Sequence, residues 1–213
     1  MPFVSYSVDW GGSQRGYQVY APDSIEKPAP AILFLHGMGE SGTDNEAQIH
    51  VGLGSAIQEG PEKWPFVVIF PQKAEAGVLW PSYRPMVNAI LQDVENRYDL
   101  DPSRRYVTGI SQGGNGTLTL ATNLVWQFAA AVPICGWADP RLAAVELQTT
   151  PTWLFHGQLD GAVPVECSQA VAGWMKRFAA PVELTIFPED DHNSWDSAYK
   201  GQDVAGWLLQ HRL

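Results

Sequence analysis

Tyr106-Val107-Thr108-Gly109-Ile110-Ser111-Gln112-Gly113-Gly114 runs from a β-rich segment through the pattern G-x-S-x-G into a stretch of helical composition. A serine held at so sharp a strand-to-helix turn takes a strained backbone conformation. Side chains at Gly109 or Gly113 would collide there with neighbouring chain. The turn lifts the Ser111 hydroxyl clear of the strand end. The first amides of the following helix, Gln112 among them, point at the same spot, where negative charge would be stabilised. A serine in an ordinary strand-to-helix turn has the same local pattern, so the partners elsewhere in the chain decide.

Outward from this turn, the chain alternates apolar strand and helical stretch, as a parallel sheet covered on both faces requires. The expected strands are Ala31 to Leu35, Phe66 to Phe70, Arg105 to Ile110, Phe128 to Ile134, Thr152 to Phe155 and Val182 to Phe187. Helices are expected near Glu46 to Gln58, Pro85 to Tyr98, Gly113 to Trp126, Val165 to Phe178 and Tyr199 to His211. Two further strands, Phe3 to Val8 and Tyr17 to Tyr20, flank a turn-rich Asp9 to Ser13 and read as an antiparallel opening hairpin. The expectation is an α/β fold with a mostly parallel eight-stranded sheet, helices on both faces and no large lid. No repeat, linker or charge block divides the 213 residues, so residues 1–213 read as one domain.

Three more strand ends carry chemistry-bearing residues. Leu33-Phe34-Leu35-His36-Gly37-Met38-Gly39-Glu40 ends in a glycine-rich turn where backbone amides approach an oxyanion. The Met38 N–H is the expected donor beside that of Gln112. His36 reads as a loop-holding residue more readily than as a base. Leu154-Phe155-His156-Gly157-Gln158-Leu159-Asp160-Gly161 offers one acid, Asp160, able to accept a histidine Nδ1 proton and fix its tautomer. Asp-Gly is also a strong turn dipeptide, and both roles can coexist. His192 follows the last strand and is the histidine placed after the acid loop at the mouth of the sheet. His156 reads as structural, His50 as helical and His211 as solvated, while Asp190 and Asp191 read as loop formers. Ser111, Asp160 and His192 thus follow one another in the order nucleophile, acid, base.

Composition narrows the partners. With 23 acids against 13 bases, a net charge of −10 repels phosphate backbones and anionic lipid. No run approaches the roughly 18 apolar residues that span a bilayer. Small neutral molecules are the expected partners, with neither nucleic acid nor membrane insertion, and the oligomeric state is open. The N-terminus has no basic region or long apolar core, which favours the cytoplasm over secretion with a removed signal. Cys135 and Cys167 lie in no metal-ligand spacing, so no metal site is expected; they read as buried free thiols, with one disulfide the alternative.

The Leu-His-Gly-Met-Gly-Glu, Gly-Ile-Ser-Gln-Gly-Gly, His-Gly-x-x-Asp-x-x-Val-Pro and post-strand His motifs resemble those of the phospholipase/carboxylesterase family. Gly37 to Asn45 and Asp101 to Gly109 are similar to the related predicted-peptidase and feruloyl-esterase-like group. The resemblance spans roughly residues 15 to 211 and implies the α/β-hydrolase fold. It also implies a serine carboxylesterase that works through an acyl-enzyme on short-chain or aromatic acyl esters. In that reading Ser111, Asp160 and His192 form the catalytic triad, Met38 and Gln112 the oxyanion hole, and no cofactor is needed. A peptidase, a lysophospholipase or thioesterase on the same triad, and a non-catalytic binding protein are the alternatives. Aromatics near the mouth of the sheet are the candidates to line a substrate pocket: Trp80 and Tyr83 in the loop before the second helix, Trp137 after the sixth strand and Trp195 three residues beyond His192.

Overall fold

The computed structural model describes residues 3–213. Strands β1 (Phe3–Trp10) and β2 (Ser13–Tyr20) form the expected antiparallel hairpin. They run longer than expected because the loop is only Gly11-Gly12, both at positive φ, which is the two-residue turn whose twist suits a hairpin. The remaining strands are β3 (Ala29–Leu35), β4 (Val67–Pro71), β5 (Leu100–Ile110), β6 (Ala130–Ile134), β7 (Thr152–Gly157) and β8 (Val182–Phe187). All eight join one sheet in the order β1-β2-β4-β3-β5-β6-β7-β8. The β1–β2 and β2–β4 pairs are antiparallel and the other five are parallel. This is the α/β-hydrolase arrangement.

Strand side chains alternate between two cores because the pleat has a period of two. Leu33, Leu35, Val107 and Leu154 face one apolar cluster with helices α2 (Arg84–Arg97), α4 (Pro140–Glu146) and α5 (Glu166–Arg177). Ile32, Phe34, Tyr106, Ile134 and Phe155 face the other with α1 (Leu53–Glu59), α6 (Ser194–Gly201) and α7 (Val204–Leu209). Helix α3 (Gln112–Leu120) springs from the end of β5 and feeds Leu118 and Leu120 into the first cluster.

Several helices depart from expectation for local reasons. The stretch from Glu46 to Gln58 divides into a 3₁₀ turn, Ala47–Ile49, and α1, because Gly52 breaks it at φ +54. A Cβ at Gly52 would press on Phe34 and Ile110. The final helix is two, since the Asp203 carboxylate accepts the Gly206 amide at 2.9 Å and starts α7 afresh. Helix α3 stops at Leu120, and the turns after it carry Trp126 into the core. Helix α4 was not expected, although its start carries a legible signal. Asp139 caps it by accepting the Leu142 amide at 2.8 Å, and Pro140 stands at its first position.

Candidate active site

Ser111 caps α3 at φ +54 and ψ −115, a conformation that costs a non-glycine residue energy and persists only when its surroundings impose it. They do. The Ser111 amide donates to the Ile134 carbonyl of β6 at 3.0 Å, and its own carbonyl accepts the Asn115 amide at 3.0 Å. A Cβ on Gly109 would overlap the Gly113 carbonyl, and one on Gly113 would overlap the Leu35 carbonyl at the end of β3. The two glycines therefore let β3, β5 and α3 converge at the serine.

The structure brings Asp160 and His192 to this point. His192 Nε2 lies 2.9 Å from Ser111 Oγ, and His192 Nδ1 lies 2.7 Å from Asp160 Oδ2. An ionised carboxylate only accepts, so Nδ1 carries the proton and the Nε2 lone pair faces the serine hydroxyl. The Asp160 side chain is wholly buried. Burial alone would raise its pKa, but hydrogen bonds from His192 and from the Val163 and Ala162 amides outweigh that and hold it below the usual carboxylate range. Those two amides reach Asp160 Oδ1 at 2.8 Å each, so the Asp-Gly turn and the acid are one device. The loops carrying Asp160 and His192 are tied by Gln158 N–H to Phe187 and Leu159 N–H to Asp190. Gly157 leaves room for the Asp190-Asp191 backbone to cross.

His156 has a closer relation to this site than sequence suggested. Its Nε2 donates to the Val163 carbonyl at 2.9 Å and lies 3.2 Å from Asp160 Oδ2, while Nδ1 accepts from Ser168 Oγ at 2.7 Å. Its nearness to Asp160, four residues on, is legible in the sequence, but the ring orientation depends on Ser168 of α5 packing against β7. Asp191 accepts the Asn193 amide at 2.9 Å and is a loop former. His50 is exposed, while His211 is half-buried against Trp207 and not solvated as expected; burial lowers its pKa.

Met38 and Gln112 both line the cleft beside Ser111. Neither of their amides has an acceptor among the described residues. His36 holds the Met38 turn from below: Nδ1 donates to the Gly37 carbonyl at 2.6 Å and Nε2 accepts the Lys73 amide at 3.1 Å. Burial pushes His36 down to about 3, so it stays neutral.

The cleft has a volume of about 410 Å³, and its apolar walls include Met38, Ile110, Val163, Trp137 and Trp195. Trp195 presents its edge to His192 at 5.5 Å between ring centroids. Trp80 corrects the expectation: it is fully buried, and its indole N–H donates to the His36 carbonyl at 2.9 Å, behind the turn and away from the cleft. Tyr83 is likewise buried in the core. Glu40, which sequence left without a role, lines the cleft.

Cys135 Sγ, an Asp160 oxygen and a His192 ring nitrogen lie within 4.8 Å of one another, the one such trio of ligand-type atoms among the described residues. Two of the three already bond to each other, and burial pushes the Cys135 thiol well up, so it is held as the neutral thiol. Cys135 is buried and Cys167 half-buried; both are free thiols, and the alternative disulfide is not formed.

Residues 61–203 match the phospholipase/carboxylesterase family model. A bifunctional acetylxylan esterase/xylanase of Neocallimastix patriciarum is 27% identical over 78% of this chain, which covers 24% of that protein. A probable carboxylesterase of Oryza sativa subsp. japonica is 27% identical over 84% of this chain and 77% of its own length. The crystal structure of a thermostable esterase superposes with a TM-score of 0.86 at 27% identity, covering 99% of this chain and 63% of the other. The chain thus spans about a quarter of the first relative and under two thirds of the third. With the match extending over more than half of its residues, this chain belongs to the phospholipase/carboxylesterase family.

Proposed function

We propose that the protein is a serine carboxylesterase acting on short-chain or aromatic acyl esters, acyl groups on plant polysaccharide among them. The observation that carries this is the unbroken relay from Asp160 Oδ2 through His192 to Ser111 Oγ, with links of 2.7 and 2.9 Å, opening on the cleft. His192 Nε2 takes the proton of the Ser111 hydroxyl as Oγ attacks the ester carbonyl carbon. The carbonyl oxygen, now an oxyanion, is received by the Met38 and Gln112 amides. His192 then gives its proton to the departing alcohol oxygen, leaving Ser111 acylated. Water, deprotonated by the same nitrogen, attacks the acyl carbon, and the acid leaves as Oγ is reprotonated.

The substrate class is supported by the apolar, aromatic-walled cleft, which suits a small acyl or aryl group. Its likeness to the acetylxylan esterase points the same way. A fluorophosphonate probe should label the folded protein and fail to label Ser111→Ala. p-Nitrophenyl acetate, p-nitrophenyl butyrate and methyl ferulate should be hydrolysed, and aminoacyl anilides and lysolipid should not. A folded, unlabelled wild-type protein would replace this reading with a binding protein on the same fold, and turnover of the anilide or lysolipid alone would replace it with the peptidase or lysophospholipase.

A further inference from the structure

Lys73 is the only lysine or arginine that is fully buried among the described residues. It follows β4 and bonds to the 36–42 turn. Its Nζ donates to Ser41 Oγ at 2.7 Å and to the Glu75 carbonyl at 2.9 Å. Its amide donates to His36 Nε2 at 3.1 Å, and its carbonyl accepts the Gly42 amide at 3.0 Å. Three of these four bonds run to the 36–42 turn. Three residues farther on, the Ala76 carbonyl accepts from Gln112 Nε2 at 3.0 Å. The short strap 73–76 therefore ties together the two segments whose amides face the serine.

No carboxylate lies within 4.0 Å of Nζ among the described residues. A buried ammonium without an ion pair costs several kcal/mol in desolvation, and an apolar side chain of similar volume would cost less. Stability therefore does not explain this residue. A cation bonded to Ser41 of the Met38 turn and to the strap that holds Gln112 does, because charge acts strongly where water is excluded.

We propose that Lys73 is a positioning residue for the ester hydrolysis inferred above, locking the Met38 turn to the Gln112 helix start and biasing that site toward negative charge. The proposal rests on the esterase reading. The titratable groups around Lys73 are Glu40 on the turn, Glu75 on the strap, Asp44 beyond Gln72, neutral His36 at the end of β3, and Tyr83, whose hydroxyl accepts the Glu75 amide. Burial lowers Lys73 to about 8, with Glu40 and Glu75 opposing the shift. Activity and stability should then move in opposite directions with pH. Above about 8 the folded chain loses this charge, so kcat falls. Between about 8 and the ordinary lysine value of 10.5 the unfolded chain still holds the proton, so the Lys73 contribution to stability rises with pH.

The test is steady-state hydrolysis of p-nitrophenyl acetate by wild type, Lys73→Met and Ser41→Ala across this range, with thermal melts alongside. Lys73→Met should lower kcat roughly 10- to 100-fold with KM held within about twofold, lose the alkaline fall, and melt no lower than wild type. Ser41→Ala should lower kcat by about 3- to 10-fold and keep the alkaline fall, since the charge stays. A Lys73→Met enzyme with wild-type kcat and an unchanged alkaline limb overturns the proposal. If that variant does not fold, a wild-type kcat in Ser41→Ala overturns it instead. A wild-type protein that takes no fluorophosphonate label and cleaves no ester refutes the esterase reading itself, whereas active wild type with unaffected variants refutes only the role of Lys73.

Discussion

His156 Nε2 lies 3.2 Å from Asp160 Oδ2, the same oxygen that His192 Nδ1 engages at 2.7 Å from the other side. The carboxylate is thus held between two imidazoles and two main-chain amides. Burial raises its pKa, and the hydrogen bonds from His192 and from the Val163 and Ala162 amides outweigh that. This arrangement keeps Asp160 ionised and fixed, which is what a proton acceptor for His192 needs.

Asp160→Asn should therefore lower kcat by about 10³- to 10⁴-fold, because the amide can present a donor to Nδ1 and reverse the histidine tautomer. Asp191→Asn, which touches only the local Asn193 amide, should leave kcat within about twofold. Steady-state kinetics on one p-nitrophenyl ester checks both, and the opposite ranking would move the acid role to Asp191.

Gly113→Ala places a methyl group against the Leu35 carbonyl, which is backbone and cannot rotate aside. The expected result is a loss of at least the roughly 1–3 kcal/mol of an overpacked site, together with loss of fluorophosphonate labelling as Ser111 is displaced. Urea unfolding and gel labelling would read the two effects. A stable, fully labelled variant would show that the strand-to-helix turn tolerates what its geometry forbids.

His36 is pushed down to about 3 by burial, against an ordinary value of 6.5, so between those values the unfolded chain binds a proton that the folded chain does not. Stability should fall as pH drops below about 6.5, with a slope from this residue of up to ~1.4 kcal/mol per pH unit. His36→Asn, which can still donate to the Gly37 carbonyl, should flatten the decline between about pH 6.5 and 5, above the range where most carboxylates titrate. Denaturant midpoints at several pH values test this, and an unchanged slope would rule out His36 as its source.

Trp80 and Trp137 should part company on truncation. Trp80→Ala empties a fully buried site and breaks a hydrogen bond to the His36 carbonyl, so it should cost about 3–5 kcal/mol of stability. Trp137→Ala, at the cleft wall, should leave the melting temperature nearly unchanged while raising KM for aryl esters more than for acetate. Melts and a two-substrate kinetic comparison distinguish the two roles.

The strand-to-helix turn at Ser111 was legible in the sequence because its causes are local: two glycines, a β-rich approach and a helical exit within nine residues. The sheet was legible for a similar reason, since buried parallel strands read as short apolar runs. Helix ends at Gly52 and Asp203 were missed because a single φ or one capping carboxylate decides them, and periodicity averages over both. The chain order Ser111, Asp160, His192 could be read, but not their distances. Meeting across 81 residues depends on which strands neighbour in the sheet and how far each loop reaches. Trp80 shows the same limit, for a tryptophan in the loop before α2 can turn toward the cleft or behind the Met38 turn, and only packing chooses. The His156 ring held against Asp160 by Ser168, and the Lys73 ammonium bonded to Ser41 of the Met38 turn, were not fixed by local sequence. Sequence by itself determined the elements and the kinds of side chain at their ends; the tertiary structure alone decided which of them share a hydrogen bond, because that requires contacts between segments the chain brings together only on folding.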